Sequence, residues 1–355
     1  MRTKLSAGAT AFAAILLATG LGAGTADAQA KVGPHGFPIS QGTKPATPIP
    51  AKCDRACLEH VVDQIAEAMV SKDRSGLPLS KNVRYTETGQ TLKIGDGFWA
   101  TATGMGTYKH YFADPDVGQV VVMRTMREGN GPNADNLMSL RARVELGRVT
   151  EIEATFYKKG GGPSWNDAGV DNLNKMGSPP APWMQTIPES KRLTRQELIM
   201  AGNYYFDGLQ RNNGKGYYPF TDTCNRLENG VATTNNTTVQ AGQAFQPFSF
   251  TCLEQFSTGY YGVVTEIVDR RWLVADPERG IVLAYATFKH AGTVPKVHLT
   301  NGQDFDMSFF SRPSSIQIVE AFRITPEGKI DLVEAVGGSA IYGLYQGWPG
   351  GLTGE

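Results

Sequence analysis

The sequence predicts an α+β protein made of two tandem copies of one unit, each with an opening helix followed by antiparallel strands. Residues 113–121 (ADPDVGQVV) recur as residues 275–283 (ADPERGIVL), and residues 147–154 (GRVTEIEA) recur as residues 328–335 (GKIDLVEA). Each copy also begins with apolar residues at helical spacing and continues with segments typical of strands. A solenoid repeat spans about 20–50 residues, so this much longer period indicates a duplicated domain.

The N-terminal residues 1–28 have the three-part pattern of a secretory signal peptide. Arg2 and Lys4 precede an apolar run, and Ala26 and Ala28 supply small residues for cleavage. An uncleaved anchor is the alternative, but the run is shorter than the about 20 residues that a membrane span needs. We therefore expect a secreted or periplasmic protein with no membrane segment after cleavage.

Composition and length set the domain plan of the remaining chain. The 355 residues carry 34 basic and 34 acidic side chains, so the basic surplus of nucleic-acid-binding proteins is missing and no nucleic-acid partner is expected. The chain is 41% hydrophobic, which suffices for two cores. We predict a flexible segment at residues 29–52 and a first unit at residues 53–157. An ordered strap that contains Trp165 and Trp183 follows at residues 158–193, and a second unit at residues 194–355.

The helices and strands of each unit follow from local signals. Asp54 can cap the first helix, and Thr194 with Glu197 forms a capping box at the start of the second. Apolar residues then recur at helical spacing in both segments. Long buried strands follow at residues 119–126 and 281–288, and closing hairpins at residues 137–156 and 315–336 complete the units.

Four cysteines, Cys53, Cys57, Cys224 and Cys252, allow three disulfide pairings in an exported chain. We favour Cys53–Cys57 with Cys224–Cys252, because each pair then stays within one half of the chain. A zinc site is the rival interpretation, but the second pair is widely spaced and has no neighbouring histidine. We therefore expect no metal.

The order of elements, with Glu-x-Gly at residues 87–89 and 228–230 and a closing hairpin at Gly147 or Gly328, resembles the nuclear transport factor 2-like superfamily, also called SnoaL-like. The resemblance covers roughly residues 53–157 and 194–345. It implies that each unit is a cone, in which one helix packs against a curved antiparallel sheet around a deep pocket. Members include isomerases, dehydratases, cyclases, lyases, hydrolases and binding proteins, so the resemblance implies a pocket and not a reaction.

A closer resemblance is carried by the second unit. Residues 224–230 (CNRLENG), Cys252 and residues 270–276 (RRWLVAD) resemble a family of secreted fungal and bacterial tandem domains without a settled function. That family implies no catalytic residue for this chain.

Two histidines are the leading candidates for acid–base chemistry, because no strong catalytic or cofactor motif is present. His290 shares a strand face with Phe288 and three smaller apolar residues, so we expect it to look into an apolar cavity with a pKa near working pH. His110 lies beside Tyr108, just before the first long strand. A structural role is the alternative for each histidine.

The remaining candidates would assist catalysis or bind substrate. Tyr218 and Asp222 are predicted to be catalytic by holding the leaving or incoming oxygen at a pocket mouth, while Arg226 and Arg271 are predicted to fix an anionic group. A salt bridge is the alternative role of each arginine, and core packing is that of the aromatic residues. Further expected lining residues are Glu228, Tyr108 and Trp99.

Together these features predict an exported, cofactor-independent lyase, isomerase or dehydratase acting on an apolar or aromatic small molecule. His290 or His110 would move the proton, and the second unit is expected to hold the pocket. The alternatives are a non-catalytic small-molecule binding protein and a structural or partner-binding module. The sheets of cone domains often mediate dimerisation and the two copies can meet that way within one chain, so a monomer and a homodimer are both compatible with the sequence.

Overall fold

The computed structural model describes residues 46, 48–131, 133–161, 164–239, 241–242 and 245–348, without the side chains of residues 164–166. The predicted signal peptide and most of the predicted flexible segment lie outside these residues. Within them, no helix is long and apolar enough to cross a membrane.

The first unit is a long helix packed against a six-stranded sheet. The Asp54 side chain caps this helix by accepting a hydrogen bond from the N–H of Cys57, as predicted. The elements are α1 (Arg55–Ser71), β1 (Leu79–Glu87), β2 (Gln90–Leu92), α2 (Phe98–Thr101), β3 (Ala102–Asp114), β4 (Gln119–Glu128), β5 (Asp135–Glu145) and β6 (Arg148–Lys158).

The segment between the units contains a helix, α3 (Ser164–Met176), and two short 3-10 helices (Ala181–Met184 and Glu189–Lys191). A Cβ on Gly169 of α3 would lie 2.0 Å from the carbonyl oxygen of Asn229, so α3 packs tightly on the second unit. Trp183 is buried against Phe112 of the first unit. The segment therefore packs on both units; the side chain of Trp165 lies outside the described residues.

The second unit repeats the helix and the sheet. Its opening helix starts with the predicted capping box of Thr194 and Glu197. The elements are α4 (Arg195–Leu209), β7 (Phe220–Glu228), β8 (Val231–Ala232), α5 (Cys252–Ser257), β9 (Glu266–Asp276), β10 (Ile281–His290), β11 (Lys296–His298), β12 (Asp304–Asp306), β13 (Ser314–Ile324) and β14 (Ile330–Ala340), with 3-10 helices at Pro247–Ser249, Tyr260–Val263 and Ser308–Phe310.

The two sheets have the same strand order, β2-β1-β6-β5-β4-β3 and β8-β7-β14-β13-β10-β9. All neighbours are antiparallel except β1 with β6 and β7 with β14. The sheets are therefore mixed, whereas we expected wholly antiparallel sheets. In each unit the last strand lies beside the first, and the two are separated by a long stretch of chain and not by a hairpin. The architecture confirms the predicted α+β class with two tandem helix-plus-curved-sheet cones.

Two insertions enlarge the second unit. One lies between β8 and β9 and contains α5, and the other lies between β10 and β13 and contains the β11–β12 hairpin. A disulfide between Cys224 and Cys252 ties α5 to β7, and a second joins Cys53 to Cys57 at the start of α1. The structure thus has the disulfide pairing that we favoured from the sequence.

The units pack against each other through the sheet faces that point away from their helices. Side chains alternate between the two faces of a strand, so one face covers the helix and the other meets the partner sheet. Met123 and Leu137 of the first unit share a buried cluster with Leu283 and Val319 of the second. The two copies therefore bury these faces within one chain.

Reciprocal ion pairs cross this interface. Arg55, the first residue of α1, pairs with Asp276 of the second unit at 2.9 Å. Arg195, the first residue of α4, pairs with Asp114 of the first unit at 2.8 Å. The repeated Asp-Pro turns therefore hold the units together, which is a structural role.

Candidate active site in the second unit

A cavity of about 960 Å³ lies between the helix and the sheet of the second unit. The end of α4 and the inner faces of β7, β10, β13 and β14 form its walls, and the two insertions close over it. Its lining is mainly apolar and aromatic, as in most small-molecule sites. The apolar lining includes Leu209, Phe248, Val264, Phe288, Met307 and Ile318.

Glu320 is a buried carboxyl group at one end of this cavity. It lies on the inner face of β13, paired with Ala284 of β10, and is 1% exposed. Tyr205 donates a 2.7 Å hydrogen bond to its Oε1, whereas Oε2 has no partner among the described residues. Burial, with a smaller effect of the Glu228 charge, raises the pKa of Glu320 to about 8. Glu320 is therefore mostly protonated at neutral pH.

Arg226 and Glu228 form an ion pair beside Glu320. Arg226 is 3% exposed and donates hydrogen bonds to Glu228, to the Gln255 side chain and to the hydroxyl of Tyr261. Burial alone would lower the pKa of Arg226, but the charge of Glu228 and the nearby tyrosines raise it well above its usual value. The guanidinium therefore stays charged, and Glu228 compensates the charge.

His290 lies at the other end of the cavity, at the last residue of β10 and opposite Ser314. Its ring stacks on Phe310 with centroids 4.1 Å apart and planes 4° apart, and its Nδ1 has no partner in the described part of the chain. Burial lowers the pKa of His290 to about 4. The histidine faces an apolar cavity, as expected, but the expectation of a pKa near neutrality is wrong because desolvation is not offset by a nearby negative charge.

Glu320 and His290 are too far apart to act on one bond. Their positions are separated by six residue pairs along β10 and β13. At the usual rise of a strand this corresponds to about 20 Å along the sheet. The cavity therefore has two polar ends and an apolar middle.

The first unit completes one wall of the cavity. Strand β7 pairs with β14 only as far as Ala335. Beyond that point Gly337 and Ser339 line the cavity together with residues 156–158 and Glu87 of the first unit. The site is therefore shared between the two copies, although its buried acid and its histidine come from the second.

The position of Glu320 carries an apolar residue in the first unit. Val122 and Ala284 are equivalent, since each lies four residues after the glycine of the repeated Asp-Pro turn. Val122 pairs with Leu140, and Ala284 pairs with Glu320. Leu140 is fully buried in the first core, so the first copy has an apolar side chain where the second has a carboxyl group.

Two neighbours of Glu320 also differ between the copies. Ile65 and Tyr205 each lie eleven residues after the N-cap of the opening helix. Tyr85 and Arg226 each lie two residues before the glutamate that ends the first strand, and they pair with equivalent residues of β6 and β14. The polar group around Glu320 is therefore specific to the second unit.

Two predicted residues of the first unit, Tyr108 and His110, lie between the sheets and not in the cavity. Tyr108 donates a 2.7 Å hydrogen bond to Glu334, and Nδ1 of His110 lies 2.8 Å from the other oxygen of that carboxylate. Both point away from α1, because alternate residues of β3 face the second unit. Trp99 was also expected in the pocket lining, but it is buried in the first core against Tyr85.

Three predicted residues of the second unit also lie outside the cavity lining. The Tyr218 hydroxyl accepts hydrogen bonds from Asn212 and from the backbone N–H of Gly216, so it braces a loop. Asp222 is exposed on β7. Arg271 faces the first unit and binds both oxygens of Glu153, at 2.6 and 3.2 Å. Of the predicted set, His290, Arg226 and Glu228 line the cavity.

Glu320 was missed by the sequence prediction, although a signal for it exists. The alternate positions of β13 from residue 316 to residue 324 read Ile, Ile, Glu, Phe, Ile. A single carboxylate in the middle of an otherwise apolar face is rarely left unpartnered in a core, so it indicates a special environment. Among the described residues, no group of three or more His, Cys, Asp or Glu side chains is placed to hold a metal ion.

Comparisons with known proteins leave the function open. Residues 191–337 match the family model of a domain of unknown function (DUF8021). No relative was found among the curated proteins. The solved structure of SalBIII, an epoxide hydrolase/cyclase-like enzyme described in pyran ring formation in the polyether salinomycin, is similar at 15% identity and a TM-score of 0.25, covering 42% of this chain and 95% of the enzyme. A similarity this low carries no argument about activity.

Proposed function

We propose that the protein is an exported, cofactor-independent enzyme that carries out general acid–base chemistry on an apolar or aromatic small molecule in the second-unit cavity. The reaction class is that of a lyase, dehydratase or isomerase. The observation that carries the proposal is Glu320, a buried carboxyl group of the cavity lining, with one oxygen held by Tyr205 and the other without a hydrogen-bond partner among the described residues. The two disulfides fit an oxidising compartment outside the cytoplasm.

Glu320 has the properties of a general acid at neutral pH. Its carboxyl group is mostly protonated there, and a catalytic acid works best with a pKa near the working pH. In a dehydration, Glu320 gives its proton to a substrate hydroxyl, the C–O bond breaks and water leaves. The carboxylate then takes a proton from the adjacent carbon as the double bond forms, which restores the acid without any electron donor or acceptor.

Arg226 and Tyr205 support this cycle. The hydrogen bond from Tyr205 and the positive charge of Arg226 both favour the ionised form of Glu320, so they stabilise the carboxylate between the two proton transfers. In an isomerisation the same carboxyl group would remove a proton at one carbon and return it at another. His290 is a weak base at neutral pH, because burial lowers its pKa to about 4, and it is assigned to binding.

The test is turnover of a small-molecule extract, followed by untargeted mass spectrometry before and after addition of the purified protein. We expect a compound to lose the mass of water, or to change its retention time at constant mass. Glu320→Gln keeps the shape and the acceptor for Tyr205 but removes the proton, so the rate should fall by at least about a hundredfold. Asp222→Asn, the same change at an exposed position, is the matched control and should leave the rate unchanged. Full activity in the Glu320→Gln protein would exclude the assignment.

A non-catalytic binding protein is the second candidate. The separation of Glu320 from His290 favours it, because these two buried groups are too far apart to act together on one bond of a ligand. This function predicts that wild type and Glu320→Gln retain the same compound through purification and that neither converts it.

A further inference from the structure

Two buried polar atoms in residues of the cavity lining have no hydrogen-bond partner among the described residues. They are Oε2 of Glu320 and Nδ1 of His290, and both side chains are more than nine-tenths buried. A buried polar atom without a partner costs free energy, so such atoms in a cavity mark places where a ligand or water completes a hydrogen bond. The hydroxyl-bearing Ser314 and Ser315 also line the histidine end.

The stretch between these two atoms is apolar. Phe288 of β10 and Ile316 and Ile318 of β13 lie between the polar ends on the same face and line the cavity. The ends are about 20 Å apart along the strands, which is longer than a compact ring system needs. The shape and the lining therefore suit an extended hydrocarbon body.

The arginine and the lysine of the cavity lining are already paired with carboxylates. Arg226 is paired with Glu228, and at the first-unit wall Lys158 is paired with Glu128 at 2.6 Å. Glu87 accepts a 2.6 Å hydrogen bond from the N–H of Phe98. A ligand anion buried here would find no unpaired cation among the described residues that line the cavity, and burying an unpaired charge is costly.

We propose that the occupant is an elongated and largely apolar molecule without a negative charge that carries a hydroxyl or carbonyl oxygen at each end, one bound by Glu320 and one by His290. This substrate class rests on the proposed function for the reacting end, where Glu320 exchanges a proton with the substrate. The His290 end fixes the length and register of the molecule and takes no part in the chemistry.

The experiment is displacement of the uncharged fluorescent probe N-phenyl-naphthylamine from the purified protein by linear alcohols. α,ω-Dodecanediol should bind about tenfold more tightly than dodecanol, since it makes one more buried hydrogen bond. Sodium dodecanoate should bind more weakly than the diol because its charge is unpaired. His290→Phe keeps an aromatic ring beside Phe310 but removes both ring nitrogens, so it should abolish the advantage of the diol over dodecanol.

Equal binding of diol and dodecanol to the wild type would overturn the inference, as would displacement by neither alcohol. Since these readings use the wild type, they do not depend on folding of the variant. A diol advantage that persists in a folded His290→Phe protein would also overturn it. A failed turnover test with an intact diol preference would refute the enzymatic function and keep the ligand class. Loss of turnover in Glu320→Gln without any diol preference would support the enzymatic function and refute the ligand class.

Discussion

The hydroxyl of Tyr205 and the carboxyl group of Glu320 share a 2.7 Å hydrogen bond inside the second unit. Tyr205 lies on α4 and Glu320 on β13, so the bond joins the helix to the sheet at one end of the cavity. Both side chains are almost completely buried. The first unit has Ile65 and Leu140 at these positions, so the second copy differs from the first by keeping an acid in its interior.

Replacing Glu320 by Gln should flatten the pH dependence of stability. Burial raises the pKa of Glu320 from 4.5 to about 8, so the folded protein keeps a proton that the unfolded chain has lost. The contribution of the protonated Glu320 to the free energy of unfolding is complete below pH 4.5 and is lost as the pH rises through 8. Relative to the variant, wild type should lose about 3 kcal/mol of unfolding free energy between pH 5 and pH 8. Urea unfolding of both proteins measures this, and parallel pH curves would contradict the burial argument.

Tyr205→Phe should shift the alkaline limb of the activity profile to higher pH. The lost hydrogen bond favoured the carboxylate, so the pKa of Glu320 rises further without it. A hydrogen bond to a charged group is worth about 1.5 kcal/mol, which corresponds to about one pH unit. The measurement is kcat/KM against pH, with Tyr218→Phe as the control because its hydroxyl lies outside the cavity. An unshifted limb would mean that Glu320 does not set it.

His290→Phe should protect the protein against mild acid. Burial lowers the pKa of His290 from 6.5 to about 4, so between these values the unfolded chain binds a proton that the folded protein does not. Wild-type stability should therefore fall as the pH drops from 6.5 to 4, by about 2 kcal/mol relative to the variant. Chemical unfolding at both pH values tests this. The same loss in both proteins would show that another group is responsible.

Glu153→Gln should weaken the interface between the units. Glu153 binds Arg141 at 2.8 Å and Arg271 at 2.6 Å, and all three side chains are at most 3% exposed. Removing the charge leaves the buried guanidinium of Arg271 without its carboxylate, whereas Arg141 keeps Glu151 at 2.6 Å, and the loss should cost about 3 kcal/mol. Glu145→Gln breaks the exposed pair with Arg143 and should cost less than about 1 kcal/mol. Urea unfolding compares the two, and similar losses would contradict a buried network.

The sequence by itself determined the elements and their duplication. Asp54 and the Thr194–Glu197 capping box mark where the helices begin, because their side chains bind backbone N–H groups within one turn. Strand alternation also placed His290 on the inner face of β10. These features depend on residues that are close in the chain, so local patterns predict them.

Only the tertiary structure decided which side chains meet across the chain. The central strands β4 and β10 carry apolar residues on both faces, so periodicity alone does not show that Tyr108, His110 and Arg271 of the neighbouring strands face the other unit. The partners Tyr205 and Glu320 are 115 residues apart, and no local pattern joins them. The pKa values of Glu320 and His290 likewise depend on desolvation, which is set by packing around each group and not by its neighbours in sequence.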